Sequence, residues 1–215
     1  MRLGNLALKV SKVIGYVVII ITAVMIANNS FRSFTAPTGF MLSKGQQSDN
    51  IFFLTGLYVH IVSAPLFLIA GLLQFSKIIR KKMLHIHKYA GRVYVLIVLF
   101  FAGPSALLLA AFAPQFSGKL CFFLLSAIWI YYSYRGYRNI REGDVNAHKT
   151  FMVRSYALSV SAILLRIYSF LFVIIFNESG ENIYIMLAWL SWLPQFLLLE
   201  LYFLLKNKTK MARVA

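Results

Sequence analysis

Apolar positions in this chain run in long blocks, not in the alternations of exposed strands or the narrow stripes of water-soluble helices. Ile51–Phe75 and Val93–Phe116 contain no Asp, Glu, Lys or Arg, and each exceeds the ~20 apolar residues that cross a hydrocarbon core. Taken with four less clean blocks, they predict spans over about 13–28, 51–76, 92–114, 118–135, 150–176 and 183–205. The first and fourth are short, which leaves five spans as the alternative. The expected fold is an all-α integral membrane bundle of about six transmembrane helices, forming one multi-pass domain over residues 1–215.

Composition supports that class and removes others. The chain is 60% hydrophobic and 13% charged, far from a soluble globular average. A net charge of +16 would suit nucleic acid, but its distribution argues against that partner. With an inside N-terminus, all of the 22 basic residues except Arg32, Lys44, Lys119, Arg154 and Arg166 fall on inner segments. That is the positive-inside pattern, and it predicts cytoplasmic N- and C-termini in the cell inner (plasma) membrane. The basic rim would face anionic headgroups of the lipid bilayer. The start of the chain has a basic, then apolar, signal-like pattern. It lacks a convincing small-residue cleavage pair after Ala27, so it is read as a retained span.

A lone Cys121 within an apolar run excludes a disulfide framework and a Cys-x-x-Cys metal site; a small buried hydrophobe is the simpler reading. No metalloprotease helix, phosphate loop or nucleophile elbow is present. Asp144, after Gly143, is placed to cap the helix that follows.

The candidate chemistry lies in the polar residues of the spans. Arg154 and Arg166 fall within 150–176, where a charge is costly and marks a partner or a site. His148 and Arg166 are eighteen residues apart, or five full turns at ~100° per residue, so they share a face. Met152, Ser155, Ser159 and Ala162 lie near that line, an inward-looking stripe of small and polar side chains. His60, Ala64, Phe67, Gly71 and Gln74 align on one face of 51–76. His87, Gly91 and Tyr94 align at the start of the next span, extending to Ser105. A glycine one turn from a histidine is what a flat macrocycle needs, and imidazoles from two helices ligate b-type haem.

Two levels follow: an inner pair, His87 and His148, and an outer-half pair, His60 and Arg166. The first would ligate the iron of one haem b, with Gly91 and Tyr94 beside it. The second would hold an anionic group or a quinone-like electron partner. Each has a plainer alternative. His85 and His87 could face headgroups, His148 could be an idle helix-start residue, and His60 could hydrogen-bond a neighbouring helix. Glu200 is the sole acid inside a span, and a structural pair with Arg154 accounts for both charges better than a proton relay. Arg166 suits a haem propionate, a quinone carbonyl or a lipid phosphate, against the plainer option of helix carbonyls.

His60 with Gln74, the stretch Ile86–Tyr94, and His148, Lys149, Phe151, Met152, Arg154 and Ser155 through Arg166 together resemble a bacterial family. It comprises small multi-pass membrane proteins carrying a domain of unknown function. The resemblance covers about Phe53 to Arg166 and implies membrane location and a helical bundle. A weaker likeness is to membrane b-type cytochromes, which include ascorbate-dependent ferric reductases. They often hold two haems on two histidine pairs, whereas this chain offers at most one such pair. The function expected is therefore haem-b electron transfer, working with a quinone or a redox partner protein. The alternative is a cofactor-free small transporter or accessory subunit of a membrane complex.

Overall fold

A computed structural model describes residues 50–211 continuously, with helical positions 17, 20, 21, 24, 25 and 28 before them. The span expected over 13–28 otherwise lies outside the described residues. Among the described residues there is no strand. Five helical stretches are long and apolar enough to cross a membrane: Ile51–Phe75, Leu84–Ala110, Gln115–Arg141, Val145–Phe176 and Glu181–Lys206.

These helices outrun the apolar blocks that announce them. The third expected span covers Leu84–Ala110, not 92–114, and the fourth covers Gln115–Arg141, not 118–135. Apolarity marks the part of a helix that meets hydrocarbon. Backbone hydrogen bonding carries the same helix onward through the headgroup layer. His87 and His148 accordingly sit in the first turns of their helices, not in the loops before them.

The chain divides into two compact units between Phe112 and Ala113. In the first, α1 (Ile51–Phe75) starts at Asn50, whose side chain accepts from the amides of Phe52 and Phe53. Ser76 ends α1 and caps the short α2 (Lys77–Lys82). After Met83 come α3 (Leu84–Ile97), a π-helical turn (Val98–Ala102) and α4 (Gly103–Ala110). Pro104 explains the wide turn: it offers no N–H to the carbonyl one turn back, so the α ladder breaks there. Phe67, Leu68, Tyr94, Val98 and Ala102 fill the interior of this unit.

The second unit is three antiparallel helices, α5 (Gln115–Arg141), α6 (Val145–Phe176) and α7 (Glu181–Met211). Gly143, at φ +87°, makes the left-handed turn between the first two. Asp144 caps α6 as expected, accepting from the amides of Asn146 and Ala147 at 3.0 and 2.9 Å. Small residues bring α5 and α6 close. A Cβ on Gly136 would stand 2.6 Å from Met152 Sδ, and Ser133 and Ser155 bond through their hydroxyls at 2.7 Å, both fully buried. Buried hydroxyls bonded across helices are a recurring means of holding membrane helices together. Cys121 is buried, as expected, and its Sγ accepts from Trp192 Nε1.

Candidate functional site

His60, Gln74, His87, Gly91 and Tyr94 belong to the first unit; His148, Arg154, Arg166 and Glu200 belong to the second.

The middle of α1 presents His60 to the π-turn. Its Nδ1 lies 3.3 Å from both the carbonyl of Ala102 and the hydroxyl of Ser105, while Ser105 itself donates to Ala102 at 3.0 Å. The ring thus meets the last carbonyl of the π-turn and the first hydroxyl beyond it. π-turns of this kind are frequent at functional positions. Beside them, Tyr58, Val59, Val62, Leu66, Ile97 and Phe101 contribute to an apolar groove of about 440 Å³.

At the penultimate residue of α1, Gln74 reaches α3. Its Oε1 is 3.0 Å from the point a Cβ on Gly91 would take, and its amide nitrogen donates to Ala70 at 3.4 Å. Gly91 is therefore the close-approach point for the Gln74 amide. Tyr94, one turn on, is fully buried. His87 is half-buried and His85 exposed.

His148 is held by the seam between α5 and α6. Its Nδ1–H donates to the carbonyl of Gly136 at 2.7 Å, short enough to fix both ring orientation and tautomer. In the neutral ring that leaves the lone pair on Nε2. Metal-ligating histidines characteristically tie their other nitrogen to a carbonyl or carboxylate in this way.

Glu200 and Arg154 form the pair expected from their sequence positions. Arg154 Nε and Nη2 donate to the two carboxylate oxygens at 2.5 and 2.6 Å, a bidentate fork. The guanidinium lies 4.8 Å from the ring centre of Phe203, 5.5 Å from Tyr132 and 5.7 Å from Phe151, so every helix of this unit gives it a wall. Arg166 has no carboxylate beside it among the described residues. Its Nη1 donates to the carbonyl of Ala162 at 2.7 Å. Ser155 and Ser159 of the inward stripe are buried, whereas Met152 and Ala162 are only partly so.

The wall of Tyr132 and Phe203, the Ser133–Ser155 bridge and the π-turn were not legible from apolar blocks. Gly103-Pro104 inside a span, and Gly136 inside a polar helix end, were the signals available for them. No cluster of three or more His, Cys, Asp or Glu suited to a metal ion occurs among the described residues.

No curated protein and no solved structure matches the chain, so the likeness to b-type cytochromes has no counterpart there. The family model described as "Predicted membrane protein (DUF2306)" matches residues 57–203. That stretch contains every polar intramembrane residue described above. The chain belongs to this family of multi-helix membrane proteins, whose function is unknown.

Proposed function

We propose that this protein carries electrons in the cell's inner membrane through a single haem b, for whose iron His148 and His87 are each a candidate ligand. The observation that carries the reading is the bond from His148 Nδ1 to Gly136. It presets Nε2 as a ligand atom without any further rearrangement of the ring. A bound haem would supply a one-electron couple. The rest falls to the chain's own residues. Gly136 keeps the imidazole in one tautomer, and the buried Tyr94 closes the interior next to α3. Gln74 fills the space at Gly91, so its side chain has to turn aside for a macrocycle edge to pass there. Arg166, five helical turns from His148 and with donors beyond the one it gives Ala162, would bind a separate anionic group such as a lipid phosphate. The electron partner would be a quinone or a redox protein.

The test is a reduced-minus-oxidised absorption spectrum of protein purified from haem-supplied cells. Sharp b-type bands near one haem per chain, lost in His148→Ala or in His87→Ala, are expected. A featureless spectrum under those conditions sinks the proposal.

A second reading is favoured by a different observation. The two charges of Arg154 and Glu200 satisfy each other, and most of the buried serines bond to carbonyls three or four residues back. Groups so closed on themselves suit a cofactor-free transporter or accessory subunit, in which they fasten helices.

A further inference from the structure

Between the end of α1 and the third turn of α3 the chain makes a charged elbow. Lys77, Arg80, Lys81, Lys82, Lys88 and Arg92 are all exposed there. None has an ion pair among the described residues, and the sequence holds no Asp or Glu from residue 50 to residue 141. The cations crowd one another, since Lys88 and Arg92 are one helical turn apart and like charges at that spacing repel. The chain itself supplies no neutralising charge within this stretch.

Apolar side chains are interleaved with these cations and equally bare. Ile78 is 65% exposed, Leu84 51% and Tyr89 71%. The short α2 has no buried residue at all, and backbone breaks at Ser76 (ψ 120°) and Met83 (φ −131°) separate it from both neighbours. Water on every side would leave Ile78 and Leu84 without cover. Hydrocarbon on every side would strand Lys77, Arg80, Lys81 and Lys82. A headgroup layer suits both, because it accepts apolar groups below and offers anionic phosphates above.

We propose that this elbow is a binding surface for anionic phospholipid headgroups, with α2 lying in the interface. Two rows of cations, one on α2 and one on the first turns of α3, grip phosphates, while Ile78, Leu84 and Tyr89 enter the layer beneath. The surface is distinct from the haem reading and stands without it.

The experiment uses the full-length protein in mixed micelles containing equal phosphatidylglycerol and phosphatidylcholine, with retained lipid counted by native mass spectrometry. The wild type is expected to retain phosphatidylglycerol preferentially, and added salt to weaken that preference. Each charge removed should lower it by about fivefold. It should therefore vanish in K77Q/R80Q/K81Q/K82Q and fall in K88Q/R92Q, while R141Q/K206Q, with cations removed elsewhere, retains it. Should the fourfold variant fail to run as a single species on gel filtration, K88Q/R92Q and the salt series decide. Equal retention of the two lipids by the wild type, or an undiminished preference in the elbow variants, overturns the proposal.

Discussion

Glu200 on α7 receives Arg154 of α6 through two parallel hydrogen bonds, at 2.5 and 2.6 Å. The side chains are 16% and 26% exposed, so neither charge has water enough to stand alone. Removing one partner strands the other. Arg154→Met or Glu200→Leu should each cost about 3 kcal/mol, and the double substitution should recover most of that loss. Equilibrium unfolding in detergent, run as a double-mutant cycle, reads the coupling directly; additive losses would show that the fork contributes nothing beyond its parts.

Gly136 and Met152 set the spacing of α5 and α6. A Cβ at Gly136 would meet Met152 Sδ at 2.6 Å and Cγ at 3.1 Å. Gly136→Ala should therefore destabilise the unit by about 1–3 kcal/mol, and adding Met152→Ala should return part of it. The same melts, compared across the four proteins, check this. A Gly136→Ala protein as stable as the wild type would mean that the thioether swings away freely.

His60 lies against the last carbonyl of the π-turn. With its ring gone, the carbonyl of Ala102 keeps the Ser105 hydroxyl at 3.0 Å but loses Nδ1 at 3.3 Å. His60→Ala should cost about 1 kcal/mol, felt as faster amide hydrogen exchange over residues 98–105 than elsewhere in α3 and α4. Unchanged exchange across that turn would leave His60 without a structural part in it.

Gln74 and Gly91 are coupled by contact, with Oε1 at 3.0 Å from the missing Cβ. Gly91→Ala should destabilise by about 1 kcal/mol in the wild type and by less in a Gln74→Ala background. If haem binds, Gln74→Ala should also raise the haem content recovered per chain, because the obstruction over Gly91 is removed. Equal haem content in the two proteins would separate Gln74 from any cofactor pocket.

Much of this was legible in the residues. Asp144 follows a glycine and precedes a helix, and it caps α6 because its carboxylate reaches two free amides from that position alone. Arg154 and Glu200 could be paired because an isolated charge in hydrocarbon costs so much that the sole acid available must answer it. Gly91 was less transparent. Its missing side chain announced a close approach, but periodicity cannot name the approaching group, and it is Gln74.

The sequence by itself determined that the chain is a helical membrane protein, and its apolar blocks marked the five long helices among the described residues. In hydrocarbon every backbone group must bond internally, so long apolar blocks have one local solution whatever surrounds them. Tertiary structure decided what depends on neighbours. It set His60 of α1 against the π-turn that Pro104 opens. It fixed the tautomer of His148 through a carbonyl twelve residues earlier and walled Arg154 with rings from three helices. Each of these is a contact between side chains and a distant backbone or ring, and one helix's periodicity carries no record of the surface packed against it.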